Sequence, residues 1–373
     1  MSNKPAKKRD FALDIVRVVA IFLVVICHTC FYLERAKQHV FLARDFVFTF
    51  ACQGVPLFVM LTGYLMLNRK YDSEYLQKFV KRNLIPLFVC FEIWNMIFYI
   101  LNRIYGAPYS FKKTLKVAFF LGTPGNVLWF LPMIFCLYLG MPLVSRFLDF
   151  LISQGNRVYL GILLFCLIVF GTLVPSFQQV LEMLHPLLGI NSTVTSEMQM
   201  NVFGTGAWGG SVWMLYLIIG YVFNRFSHEI RKIPTPVFVL TFIVPYLLLV
   251  AFRYVAWNHR VYSEFTDPYS NCLLVICSAS AFVILHRICN AKAVNGKFAL
   301  FIEQLSKISF GVYVIHPWIT YLCQHYVTSM ATNTAGQWAA FLISLVISYV
   351  GSALIVQLIQ YVKPLRKWLF LMK

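Results

Sequence analysis

A chain of 373 residues that is 60% hydrophobic, 17% aromatic and only 12% charged is not built for water, where about a quarter of residues carry charge. Its mean hydropathy of +0.71 excludes a string of soluble domains and points to one polytopic helical bundle. The net charge of +18 would suit a nucleic-acid binder, but the basic residues are sorted loop by loop, which argues against that class.

The chain opens on a short basic tail, residues 1–9, that reads as a topology determinant. No cleavable signal is expected, because the first apolar run is too long and no small-residue cleavage site follows it. That run, Asp10 to Leu33, is about long enough to cross a bilayer, yet it carries Asp14, Arg17 and His28. At 100° per residue, Arg17 and His28 differ by about 20° and Asp14 and His28 by about 40°. The three therefore share one stripe of one helix. Ionisable groups within a span cost several kcal/mol and normally face a bundle interior or a wet cavity. The expectation is an inward-facing charged edge along a polar passage. The plainer alternative is an Asp14–Arg17 pair at the inner end with His28 in the far headgroup zone. Cys27 and Cys30 flank His28 as C-x-x-C, but no second ligand pair accompanies them, and no metal site is expected. The other cysteines lie mostly in apolar runs and behave as small hydrophobes.

Hydropathy places ten spans at 11–33, 45–67, 84–101, 126–146, 158–175, 208–224, 236–255, 271–288, 306–326 and 338–362. With the N-terminus inside, 21 Lys and Arg fall on the inner side and nine on the outer, leaving Arg17 and Lys307 within spans. That bias puts both termini in the cytoplasm. The expected fold is an all-α integral membrane protein with about ten transmembrane helices. It forms a single domain over 1–373, with a cytoplasmic tail at 363–373 and a long periplasmic loop at 176–207. That loop holds Glu182, His185 and Glu197 and no Lys or Arg; it reads as an acceptor lid or simply as an external loop. Residues 112–125 are too short to span and read as interfacial or re-entrant. Gly54, Pro56, Gly63, Pro132, Pro142, Pro245, Gly311 and Pro317 interrupt spans, as tolerated where freed backbone faces protein or a cavity. No internal repeat is evident.

Several side chains suit chemistry. A histidine transfers protons near neutral pH and activates a hydroxyl as general base, which fits His28 as a base or as a transient carrier of the acyl group. Arg17 suits a phosphate, carboxylate or thioester carbonyl. Lys81 and Arg82, in KRNLIP, read as receivers of a phosphorylated donor or as plain inner anchors. Glu92 reads as a partner for Arg17, a proton exit or a structural ion pair. Trp129 reads as a pocket wall or an interface residue. His316 precedes a kinking Pro317 on a helix with Ser309 and Tyr313, and borders a cavity or sits satisfied in the core. No Gly-rich phosphate loop, H-E-x-x-H or G-x-S-x-G occurs.

In order, these segments are Arg17 and His28 eleven residues apart, GVPLFVMLTGYL (54–65), KRNLIP (81–86), LWFL (128–131) and SFGVYVIHPWI (309–319). Together they resemble the membrane-bound acyltransferase family 3, across about residues 10–362. The resemblance implies that Arg17 and His28 are the essential pair and that Arg82 belongs to a donor-side basic motif. It also implies acyl-CoA as cytoplasmic cosubstrate, no permanently bound cofactor, and an acceptor hydroxyl presented outside. The expected activity is O-acyl transfer, acetyl first, to a surface polysaccharide or lipid-linked glycan. The setting is a bacterial inner membrane, the partners are acyl-CoA, glycan and membrane lipid, and nucleic acid is not among them. Two departures stand out. The chain stops soon after its tenth span, where some members continue into a hydrolase-like domain. Many members also carry an acidic residue after the fourth-span tryptophan, where this sequence reads LWFLPMIF, leaving Glu92 or another group to supply any acid. Rival readings are a glycan or lipid exporter or flippase, and a membrane ligand sensor.

Overall fold

The computed structural model describes residues 10–34, 41–104, 110–121, 126–189, 210–258, 268–290 and 296–372. Among these residues every regular element is helical. That is the expected answer to a solvent offering no hydrogen bonds, because a helix satisfies its backbone within its own segment. Nine helical segments of the described residues are long and apolar enough to cross a membrane, and Val212–Arg225 is a further, shorter apolar helix.

Asp10 caps α1 (Phe11–Thr29) by accepting a hydrogen bond from the Ala12 amide at 3.0 Å. The next crossing is broken into α2 (Phe41–Ala51) and α3 (Gly54–Met66). Then come α4 (Ser73–Phe79) and α5 (Ile85–Ile104), joined by a wide π-turn at Val80–Leu84. The same device, at Val169–Leu173, joins α8 (Arg157–Ile168) to α9 (Val174–Leu187). Each π-turn stops two residues short of a proline, Pro86 or Pro175. Proline lacks the amide that would close the preceding turn, and the wider turn absorbs the mismatch without ending the helix.

Between these lie α6 (Phe111–Ala118), beside α5, and α7 (Phe130–Ser153). The remainder is α10 (Gly210–Arg225), α11 (Ser227–Lys232), α12 (Thr235–Asn258), α13 (Cys272–Asn290), α14 (Gly296–Val327), α15 (Thr334–Ile359) and α16 (Lys363–Phe370). α1 is the central member: it touches α2, α3, α13, α14 and α15. α1 and α14 run parallel, with Phe11 beside Phe298 at one end and His28 beside His316 further along.

Three sequence boundaries move. The segment 176–207 is not loop from its start, because α9 runs on to Leu187. Gln178 and Gln179 lower the hydropathy there, but Gln179 is buried and accepts a 2.6 Å hydrogen bond from Asn271, so the helix continues. Glu182 and His185 thus sit on that helix, while Glu197 lies outside the described residues. Arg44 and Arg253, assigned to outer loops by hydropathy, lie within α2 and α12. Lys307 is paired on its own helix with Glu303 at 2.6 Å.

The glycines of GVPLFVMLTGYL have specific packing reasons. A Cβ on Gly54 would meet the Ala20 carbonyl oxygen of α1 at 2.8 Å. A Cβ on Gly63 would stand 1.8 Å from the Leu217 oxygen, and one on Gly220 would stand 1.9 Å from the Met60 oxygen. α3 and α10 therefore cross backbone to backbone through reciprocal glycines, the close approach that small residues permit in membranes. Backbone cannot yield as a flexible side chain does. Gly220→Val is accordingly expected to exceed the usual overpacking cost of about 1–3 kcal/mol and to abolish monodisperse protein on size-exclusion chromatography. Gly140→Val, where a Cβ meets nothing within 4 Å, is expected to leave the profile intact.

Candidate active site

α1 turns its ionisable edge inward at two levels. One level, toward the C-terminal end of α1, is a pocket lined by Val24, Cys27 and His28 of α1. Ala51 and Val55, either side of the α2–α3 break, close one wall. Trp129 and Phe130 at the head of α7, Tyr269 before α13, and Tyr313 of α14 close the others. Trp129 packs its ring against Tyr269 at 5.9 Å and Trp213 at 5.6 Å. The lining is mostly aromatic and aliphatic around one imidazole, the usual composition of a site with few oriented polar groups.

The hydrogen bonds of that imidazole assign its protons. His28 Nδ1 lies 2.7 Å from the Val24 carbonyl, and His316 Nδ1 lies 3.0 Å from the Val312 carbonyl. A carbonyl only accepts, so both Nδ1 atoms carry hydrogen. His316 Nε2 is then an acceptor, and it lies 3.3 Å from His28 Nδ1. The His28 N–H is thus held by two acceptors, and the lone pair of the neutral ring resides on Nε2. A second group that fixes the tautomer of a base, and steadies the cation it becomes, is the logic of a relay. His316 is fully buried. It is both a satisfied core histidine and a neighbour of the pocket.

The other level, toward the N-terminal end of α1, is a three-residue cluster. Arg17 Nη1 donates to Asp14 Oδ1 at 3.2 Å and to Ser306 Oγ at 2.7 Å, and Ser306 donates to Asp14 Oδ1 at 2.6 Å. Asp14 is 5% exposed at its side chain and Arg17 26%, so the carboxylate is enclosed while the arginine side chain is partly exposed. The i,i+3 pair is therefore present together with an inward-facing His28. The pocket lining stops at Val24, and Arg17 lies outside it, about 16 Å from His28 along the helix at 1.5 Å per residue.

Lys81 and Arg82 ride on the π-turn before α5, both exposed. Glu92 lies on α5 one turn before Asn95, its Oε1 buried and without a hydrogen-bond partner among the described residues. The structure thus gathers His28, Trp129, Tyr313 and His316 at one level and Asp14 with Arg17 at another, and leaves Lys81, Arg82 and Glu92 apart from both. Sequence reading missed Ser306 and Tyr269. Ser306 was legible only as part of a small-residue helix face, and Tyr269 carried no signal. Cys30 donates its thiol to the Cys27 carbonyl at 3.2 Å, so C-x-x-C is one turn of ordinary helix. No cluster of three metal-ligating side chains occurs among the described residues.

A family described as an acyltransferase domain matches residues 10–357, nearly the whole chain. No curated protein and no solved structure gives a match.

The tautomer assignment is directly measurable. In protein labelled with ¹⁵N-histidine, with His28 identified by its loss in His28→Asn, Nδ1 is expected to be the protonated nitrogen and Nε2 the bare one. His316→Phe, which leaves the Val24 carbonyl 2.7 Å from Nδ1, is expected to keep that tautomer. A protonated Nε2 in the neutral ring would refute the relay.

Proposed function

The chain belongs to the membrane-bound acyltransferase family 3, and from that premise we propose an O-acyltransferase. It moves an acyl group, acetyl first, from cytoplasmic acyl-CoA to a hydroxyl of a surface polysaccharide or lipid-linked glycan, in a bacterial inner membrane. The observation that carries this reading is His28, lining a pocket walled by aromatic rings with its Nδ1 held by the Val24 carbonyl, which leaves Nε2 as the ring's basic atom.

The chemistry follows from that atom. The acceptor hydroxyl gives its proton to His28 Nε2 as its oxygen attacks the thioester carbonyl. The new C–O bond forms, the C–S bond breaks, and the leaving thiolate takes the same proton back from Nε2. While His28 is an imidazolium, its Nδ1–H stays shared between the Val24 carbonyl and His316 Nε2, which supports the transient charge. A water-poor site makes such an arrangement worth more than in solution. Trp129 and Tyr313 shape the surfaces that hold the acyl group and the sugar.

Donor binding belongs to the inner side. Lys81 and Arg82 receive CoA phosphates at the cytoplasmic approach, where an anion also meets the surplus of positive charge. Arg17, pinned by Asp14 and Ser306 and partly exposed, contacts the polar part of the donor. The long pantetheine arm then carries the thioester up to His28. Glu92 serves as a buried polar support on α5.

His28→Ala is expected to cut transfer of label from acyl-CoA to membrane glycans by at least about 10²-fold at matched membrane levels. Undiminished transfer would remove His28 from the chemistry.

A further inference from the structure

Beyond the two levels on α1, the most anomalous charge among the described residues is Arg253, near the outer end of α12. Its residue is 5% exposed, and its Nε approaches Asp45 Oδ1 only to 3.8 Å. Its Nε and Nη1 are buried with no hydrogen-bond partner among the described residues. The guanidinium carbon lies 4.2 Å from the centre of the Phe48 ring, and that of Arg44 lies 5.6 Å from the same ring. A desolvated cation with two unused donors is costly, and a Leu or Met of similar volume would cost less. The arrangement fits a place kept for an anion.

Its location says which anion. Leu249, one turn before Arg253, packs in a small cluster with Cys52, and Cys27, Phe48 and Tyr269 pack against it. Cys27 and Tyr269 also line the His28 pocket. The platform under Arg253 is therefore continuous with the pocket wall. α12 begins at Thr235, just after the basic Arg225–Lys232 stretch that marks the inner side, so Arg253, eighteen residues on, is at the outer side. The donor phosphates belong to the inner side, where Lys81 and Arg82 lie.

We propose that Arg253, seated on Phe48, binds an oxyanion of the acceptor and so selects anionic acceptors. The planar fork matches a sugar carboxylate or the phosphate of a lipid-linked glycan equally well. Naming the guest an acceptor rests on the acyl-transfer reading; the anion site itself does not.

The test uses the full chain in nanodiscs, following tryptophan fluorescence from the region of Trp129 and Trp213. It is titrated with methyl glucuronide, glucose 1-phosphate and neutral methyl glucoside. Wild type is expected to bind at least one anionic sugar more tightly than the neutral one. Arg253→Gln is expected to weaken that binding by about tenfold or more while leaving the neutral sugar unchanged, and Arg253→Lys to restore it in part. The stronger of the two anionic probes identifies carboxylate or phosphate as the natural group. No anionic preference in wild type, or the same preference in Arg253→Gln, would overturn the proposal. If the Gln variant fails to fold, Arg253→Lys decides: selective weakening of the anionic probes supports the site, and equal or absent weakening refutes it. Label transfer from acyl-CoA to the same sugars is scored separately. An intact anion preference without transfer would sink the acyl-transfer reading and leave the site standing.

Discussion

A charge placed in hydrocarbon must find a partner inside the protein, and α1 carries three ionisable side chains on one stripe. That constraint decides the architecture. α1 cannot lie at the lipid boundary with that edge outward, so it becomes the helix around which α2, α3, α13, α14 and α15 are gathered. Its closest functional partner is α14, which runs parallel and supplies the matching groups. Ser306 answers Asp14 and Arg17, and His316 answers His28. The spacings agree: eleven residues separate Arg17 from His28 and ten separate Ser306 from His316, so two parallel helices keep both pairs in register.

The two levels do different work because their surroundings differ. The trio of Asp14, Arg17 and Ser306 encloses Asp14 and leaves Arg17 partly exposed, a fixed cation facing the side where Lys and Arg are abundant. At the other level His28 lines a pocket with aromatic walls, and His316 stands buried beside it. A neutral imidazole there avoids burying a permanent charge and still takes a proton when a hydroxyl reacts.

Much of this was legible in the sequence because it is local. The α1 stripe follows from helical periodicity, and the glycines of 54–65 announce close backbone approach before any partner is known. His28 and Arg17 could be singled out because an ionisable group in an apolar run is conspicuous. What stayed hidden depends on distant partners. Ser306 looks like any small helix residue until α14 is laid against α1. Tyr269 sits in a short turn whose position is set by α13. Gln178 and Gln179 resembled a loop because hydropathy cannot know that Asn271 will meet Gln179. Hydropathy puts Arg253 and Arg44 in loops for the same reason, since only packing reveals the Phe48 ring beneath both and the Asp45 carboxylate near Arg253. The place of Lys81 and Arg82 on a π-turn was not readable from the sequence.

The most direct measurement of the central claim is a structure of the protein with a hydrolysis-resistant acyl-CoA analogue in lipid nanodiscs. Expected is a thioester-mimicking carbonyl carbon in the pocket between His28, Trp129 and Tyr313, within hydroxyl reach of His28 Nε2, at the roughly 3–3.5 Å separations of reacting groups. The nucleotide end is expected toward Arg82 and Arg17. An acyl group bound elsewhere, with the His28 pocket vacant or filled by packed side chains, would contradict it.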